Sequence, residues 1–430
     1  MKEKFIKSVL ILLFGGGITK LLGMIIRVVM SRMMGTELLG LYMLILPTFS
    51  LFISIGQFGM PIALSKLVAE DKKNNVQLFF SVIPITLIVN FILILVIVAI
   101  APFLSTNLLH NRDCYLGIIS IAFVIPFTSI SSICRSYFFG KEKMIPHVVS
   151  NIIEDFSRLI IMIIGIPFFI NCKPAYLLAF LILTNVISES VSVFVLLFFL
   201  PNKFSLKNKG MRPKKIYIKE ILSIGIPNTT GRLIGSLGYF LEPILLSSVL
   251  VYSGYSTSFI TKEYGILSGY VMPILLLPSF FTSAISNALL PVISKDYSNM
   301  RYDAVIKKLK SAIFISILIG GFFTCISIIF SDFLLLSIYN TTHGVNYMRF
   351  LAPICLFQYL QSPLSFCLDA MGKSKDVMFS SVLGMITRTI LLVVFSLFKI
   401  GIWGLIFAIS INVLIVTFYD FIKVLKALNN

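Results

Sequence analysis

The sequence predicts an all-α membrane protein of twelve transmembrane helices. They form two six-helix lobes, parallel repeats of each other around a central cavity. Three observations carry that expectation. First, the 430-residue chain is 57% hydrophobic, with a mean hydropathy of +0.98. Apolar runs of about 20 residues recur along it, each long enough for a hydrocarbon core roughly 30 Å thick. A soluble domain of this size has no place for so much apolar surface. Second, the basic residues divide unevenly between alternate loops. Third, residues 6–23 (IKSVLILLFGGGITKLLG) match residues 218–235 (IKEILSIGIPNTTGRLIG) without a gap. Lys20, Leu21, Leu22 and Gly23 fall on Arg232, Leu233, Ile234 and Gly235.

Taken in order, the spans are expected at about 6–33, 41–65, 77–104, 115–139, 147–170 and 175–200, and then at 220–250, 264–292, 309–332, 348–370, 377–398 and 401–422. The N-terminus MKEKFIK resembles a signal-peptide n-region. The apolar run after it is too long for an h-region and has no small-x-small cleavage site, so it is read as a retained first span. The loops carrying Lys66, Lys72 and Lys73, then Lys141 and Lys143, then Lys295, Arg301, Lys307, Lys308 and Lys310, then Lys373 and Lys375, lie on one side with both termini. The other side has only Arg32, Arg112, Lys173, Lys262, Arg349 and Lys399. The positive-inside rule makes the rich side cytoplasmic, and an even span count agrees with both termini being there.

Residues 201–218 (PNKFSLKNKGMRPKKIYI) carry six basic residues and no acid. They read as the cytoplasmic linker between an N-terminal lobe, 1–200, and a C-terminal lobe, 219–430. The segment serves as a topology anchor or as an attraction to anionic membrane lipid. Two further matches support the repeat: Gly140, Lys141, Glu142 and Lys143 with Gly372, Lys373, Ser374 and Lys375, and Arg158 with Arg388. Six spans per half bring both copies in from the same side. Such repeats are related by an axis along the membrane normal, with a site between them near the midplane.

The net charge of +18 does not indicate nucleic acid, because the cations sit in short loops where topology places them. No GxxxxGK[ST] run is present, so no P-loop is expected. No TVGYG filter occurs. Outer loops are too short for a catalytic domain, and the chain is not expected to be an enzyme. Six cysteines are scattered without CxxC, and three histidines lack ligand spacing. Neither a metal site nor a cofactor is expected.

Charged residues inside the spans are the candidate functional groups. A cation in the hydrocarbon is unfavourable by about 2.5–3.5 kcal/mol on insertion scales and marks a path or a partner. At 100° per residue, Gly16, Lys20, Gly23 and Arg27 form one stripe of the first helix. Asn228, Arg232, Gly235, Tyr239 and Glu242 form the corresponding stripe of the seventh. Small residues on these faces also permit close helix packing. Span five carries Asn151, Glu154, Asp155 and Arg158, with Glu154 and Arg158 at i,i+4 spacing for a neutralised internal pair. Arg388 has no acid at i±4, so its partner is sought at Glu189, Glu242 or Asp369. The acids Glu189, Glu154, Asp155 and Glu242 are candidates for coupling to a cation, H⁺ or Na⁺, or are satisfied acids of the bundle.

The run Arg135, Ser136, Tyr137, Phe138, Phe139, Gly140, Lys141, then Met144, Ile145, Pro146, then Asn151, Ile152, Ile153, Glu154 and Arg158 resembles a known family. So do Gly23, Met24, Arg27, Ser31, Arg32, Gly35, Gly40, Leu41, Tyr42 and Pro47, and the run from Gly56 to Pro61. The family is that of the stage V sporulation protein B-like proteins. It is a polysaccharide-transport branch of the multidrug/oligosaccharidyl-lipid/polysaccharide export superfamily. The resemblance covers most of the chain, best over residues 1–200. It implies two six-helix lobes in a V around a cavity, and a flippase for a lipid-linked saccharide in the plasma membrane. The cargo class is a cell-wall, spore-envelope or surface polysaccharide precursor. In lipid II flippases of the superfamily, arginines of the first helix contact the diphosphate. Arg27 is the nearest match, and Lys20 faces the same way. With Arg232, Arg388 and Asn228 they make the expected substrate-binding set, in a monomer. Many relatives have fourteen spans against the twelve expected here, so a tail groove built from the last two helices is missing or supplied otherwise. Two rival readings remain: a cation-coupled exporter of small amphiphiles on the same fold, and a non-transporting scaffold in envelope assembly.

Overall fold

The computed structural model describes residues 2–70, 74–200 and 215–429, with the side chains of 2–10, 13, 215, 227, 228, 230–232, 288, 291 and 429 outside the description. The chain divides into two compact units, Met1–Phe240 and Leu241–Asn430. Every regular element among the described residues is helical, and no strand occurs among them.

The first unit opens with α1 (Lys2–Gln57), 56 residues long. At 1.5 Å per residue that is roughly 80 Å, far more than one bilayer crossing. Gly35 interrupts it with non-helical angles (φ 74°, ψ 179°), a conformation that favours glycine because it has no Cβ. A short helix α2 (Met60–Ala69) follows, with Pro61 in its first turn, where no intrahelical donor is lost. The junction is Gly59 (φ 63°); a Cβ there would meet the Gly225 carbonyl oxygen at 2.2 Å. Next come α3 (Asn75–Phe103), α4 (Cys114–Gly140), α5 (Met144–Phe169), α6 (Pro174–Phe199) and the first part of α7 (Lys215–Tyr252). Asn74 caps α3 by accepting from the amides of Val76 (3.0 Å) and Gln77 (3.4 Å).

The second unit takes the end of α7, then α8 (Thr257–Gly265), a π-helical turn (Ile266–Val271), α9 (Met272–Leu275) and α10 (Leu277–Ser298). Four elements close it: α11 (Tyr302–Ile329) with the short α12 (Ser331–Tyr339), α13 (Val345–Ala370), α14 (Ser374–Leu397) and α15 (Trp403–Asn429). Pro273 and Pro278 stand at the breaks between α8 and α10, where each removes a backbone donor.

Nine helices among the described residues are long and apolar enough to cross a membrane, or ten if Thr257–Leu275 and Leu277–Asn287, bent by 45°, form one span. The protein is a multi-pass helical membrane protein. α5 falls outside that number because Glu154, Asp155 and Arg158 interrupt its apolar run. Large apolar side chains remain exposed along the outer faces, such as Ile88, Phe91 and Leu95 on α3 and Phe314, Leu318 and Phe322 on α11. Lipid tails rather than water suit such faces.

Each unit repeats one packing order. In the first, α4 packs on α6, α3 and α2, and α5 packs on α6. In the second, α13 packs on α15, α11 and α10, and α14 packs on α15. The interior clusters follow suit. One joins Met60, Leu64, Val82, Phe138, Leu196 and Ile221, the other Ile293, Val305, Leu309, Leu368 and Val424. The turn after α4 and the turn after α13 share a hydrogen-bond pattern. Lys141, Glu142 and Lys143 donate to the carbonyls of Tyr137, Phe139 and Phe138; Met371, Gly372 and Lys373 donate to those of Cys367, Asp369 and Leu368. Each pair is displaced by the same interval, Tyr137 to Cys367. Glu142 (φ 56°) thereby falls on Gly372 (φ 75°), two residues off the Gly140–Gly372 match read from the letters alone. In this register Arg158 falls on Arg388, and Arg135 falls on Ser365.

Candidate functional site

Lys20 and Arg27 are exposed on α1, and Gly16 and Gly23 beside them are half-buried. Neither cation has an ion-pair partner among the described residues. Tyr42, beyond the break at Gly35, lies within electrostatic reach of both Arg27 and Arg158. Asn228 and Arg232 lie on α7, but their side chains are outside the described residues.

The dense charge of the first unit sits where α4, α5 and α6 meet. Arg135 of α4 directs one guanidinium nitrogen, Nη2, at three acceptors: a Glu154 carboxylate oxygen of α5, Ser192 Oγ of α6 at 2.7 Å and Glu189 Oε2 of α6 at 3.3 Å. Arg158 completes the cluster from α5, pairing with the second Glu154 oxygen and with Asp155 Oδ1 at 3.2 Å. The i,i+4 spacing of Glu154 and Arg158 thus makes the internal pair that the sequence implies. Glu154 and Glu189 are buried. Two guanidiniums face three carboxylates, an excess of one negative charge when all are ionised. Such a network is costly to assemble in a low-dielectric interior and more costly to leave half-made.

Arg135 is the residue the sequence reasoning missed as a charge, since it served only within the family motif. A signal was there to read: one arginine inside an otherwise apolar fourth span. No local spacing links it to Glu154 or Glu189, so the pairing emerges only when three helices pack.

In the second unit Arg388 of α14 pairs with Glu242 of α7, whose other oxygen accepts from the Tyr264 hydroxyl at 3.4 Å. Of the three acids considered as its partner, Glu242 is the one it meets. Arg388 occupies the place of Arg158 in the turn register, yet it draws its counter-ion from another helix rather than from its own. Toward one end of the same unit, Lys423 of α15 pairs with Asp376 of α14 at 2.6 Å. Asp420 accepts from Ser365 Oγ at 2.9 Å.

Fold and charges together define a multi-pass helical membrane protein built from two like-packed units, with ion pairs inside the helix bundle of each. The chain belongs to the polysaccharide biosynthesis protein family, whose model matches residues 5–296; the MatE family model matches residues 267–394. Among its relatives is stage V sporulation protein B of Bacillus subtilis (strain 168), 32% identical over 99% of this chain and 85% of that protein. Another is the lipid II flippase MurJ of the same organism, 21% identical over 91% of this chain and 77% of that protein. The fold is similar to an inward-facing multidrug resistance MATE family transporter of the MOP superfamily. That comparison has a TM-score of 0.73 at 15% identity, covering 96% of this chain and 94% of the other. It is also similar to lipid II flippase MurJ in an inward closed conformation, with a TM-score of 0.72 at 16% identity over 96% and 88% of the two chains. The family resemblance carried by the Arg135 and Glu154 stretches is thereby met.

Proposed function

We propose that the protein is a flippase that moves a lipid-diphosphate-linked oligosaccharide across the plasma membrane by alternating access. The observation that carries this reading is the pair Lys20 and Arg27: two cations on one stripe of a membrane helix, without an acid partner among the described residues. Cations at such depth call for an anionic group, and a diphosphate offers one that a guanidinium can bind in two places at once. Membership of the polysaccharide biosynthesis protein family supports a saccharide cargo. Likeness to a protein named lipid II flippase supports the lipid-diphosphate carrier.

The full reading has twelve spans. The break at Gly35 supports counting α1 as two of them. The pairing of Glu154, Asp155 and Arg158 with each other and with Arg135 supports counting α5 as one, because neutralised charges tolerate a hydrocarbon setting better. Two lobes, 1–200 and 219–430, are joined by the basic linker 201–218, of which residues 201–214 lie outside the described residues, with both termini cytoplasmic. Shared packing order and the shared turn support their relation as parallel repeats. In this reading Arg232 and Asn228 supplement Lys20 and Arg27. Arg388 is held by Glu242 until substrate competes for it. The acid excess of Glu154, Asp155 and Glu189 takes up the coupling cation. The protein acts as a monomer.

The test is reconstitution into liposomes with a panel of fluorescent lipid-linked sugars, with and without ion gradients. Flipping of at least one diphosphate-linked sugar is expected, slowed by Lys20→Ala and by Arg27→Ala. Wild-type rates in both variants would overturn the role assigned to these cations. Likeness to a multidrug resistance MATE family transporter favours a second reading, a cation-coupled exporter of small amphiphiles. Gradient-driven efflux of a cationic dye, with no flipping of any lipid-linked sugar, would select it.

A further inference from the structure

Asp420 is the most deeply buried acid among the described residues, 1% exposed, and no ion pair reaches it among them. The Ser365 hydroxyl of α13 donates to its Oδ2 at 2.9 Å. Its other oxygen, Oδ1, is enclosed and has no hydrogen-bond partner. The Ser380 hydroxyl of α14 lies within reach of the same carboxyl, and it too is enclosed without a hydrogen bond of normal geometry.

The charged and titratable groups of the packed elements leave it alone. Lys423, one turn further along α15, is taken by Asp376 of α14 at 2.6 Å and lies 5.4 Å from the Tyr419 ring. On α14 the other nearby charge in sequence is Lys375. On α13 the nearest acid in sequence is Asp369, four residues beyond Ser365, and the buried Cys367 lies between them.

The first unit shows what is missing. There α6 also presents a buried acid, Glu189, to α4, the helix that corresponds to α13, and α4 answers with Arg135. The turn register places Ser365 where the first unit has Arg135, and Ser380 where it has Ser150. In the same register Glu189 falls on Tyr419 and Asp420 on Ser190, so the second unit carries its buried acid one residue further along the helix and has no guanidinium at the Arg135 position. An ionised carboxylate enclosed in the bundle without a counter-ion is strongly disfavoured, and taking up a proton is the smallest change that neutralises it. A protonated carboxyl also gains the one donor that the enclosed oxygen needs.

We propose that Asp420 is a proton-binding site. In this packed arrangement it holds the proton on Oδ1, directed at Ser380 Oγ, while Oδ2 accepts from Ser365. When α13, α14 and α15 part and water reaches the carboxyl, the proton passes to that water and Asp420 ionises. The site then makes helix packing in the second unit depend on protonation, whatever the cargo.

Infrared difference spectroscopy of the purified chain in lipid nanodiscs at neutral pH tests this, and it needs no substrate. The wild type is expected to show the carbonyl stretch of a protonated carboxyl that shifts in D₂O. Asp420→Asn should remove that band. Ser365→Ala should move it to higher wavenumber, because a hydrogen bond to the carbonyl oxygen is lost. Ser365→Arg should replace it with a carboxylate band, as an ion pair like that of Arg135 forms. If the wild type minus Asp420→Asn difference contains only a carboxylate band, Asp420 is ionised and the proposal is wrong. Should Asp420→Asn fail to fold, Ser365→Ala decides alone: no protonated-carboxyl band that responds to it overturns the assignment.

Discussion

Arg135 shows how much one side chain decides in this protein. Its guanidinium meets acceptors from two other helices, and Glu154 is shared between it and Arg158. Removing one partner of a buried pair leaves the other charge uncompensated, which costs about 3–5 kcal/mol. Arg135→Ala is therefore expected to lower the unfolding temperature in detergent markedly. Glu154→Gln should lower it less, since Glu189 and Asp155 still face the two guanidiniums and the charges of the cluster then balance. Cations that face a ligand behave differently. Lys20→Ala, Arg27→Ala and Arg232→Ala are each expected to express and unfold like the wild type but to flip substrate poorly, with Arg232→Lys better than Arg232→Ala. Paired measurement of unfolding temperature and flipping rate separates the two classes. A large loss of stability in Lys20→Ala or Arg27→Ala would place those cations in structural pairs instead.

At the scale of elements, the junction of α2 with α7 is set by a close crossing. Gly59 has φ 63°, and a Cβ there would lie 2.2 Å from the Gly225 carbonyl oxygen. Gly59→Val combines a left-handed backbone with a β-branched side chain and a backbone clash, so both helices would have to move. Loss of folded protein is expected, read by size-exclusion elution and yield. Gly35 has φ 74° but nothing within 4 Å of its missing Cβ. Gly35→Ala is thus expected to cost only the backbone term, about 1–3 kcal/mol for a non-glycine residue at φ 74°, ψ 179°, a milder loss in the same assay. Equal damage at the two sites would contradict the reading of Gly59 as a contact glycine.

For the whole molecule, orientation and repeat are the testable properties. Single cysteines at Asn107 and Thr341, in a background without the six native cysteines, are expected to react with a membrane-impermeant thiol reagent from outside. A cysteine at Asn208 should react only after permeabilisation. Labelling of position 208 in intact cells would reverse the topology. The repeat predicts that residues 6–200 superpose on 218–422 by a rotation of about 180° around the membrane normal. An experimental structure with inverted halves would refute it.

Much of this architecture was legible in the chain as letters. Hydropathy and loop charge describe a multi-pass helical protein, because burial in lipid forces apolar runs and topology forces basic loops; the match of 6–23 to 218–235 adds the expectation that it is written twice. The Glu154–Arg158 pair was also legible, since four residues bring two side chains to one helix face. What only the tertiary structure decided are contacts between distant helices: Arg135 with Glu154 and Glu189, Arg388 with Glu242 rather than Glu189 or Asp369, and Asp420 alone with two serines. The turn register, two residues off the apparent GKEK match, belongs with them, because a backbone turn is defined by hydrogen bonds and φ rather than by letters. No local period encodes such contacts. A buried charge takes whichever counter-charge the packing of whole helices delivers, and where packing delivers none, as at Asp420, a proton must serve.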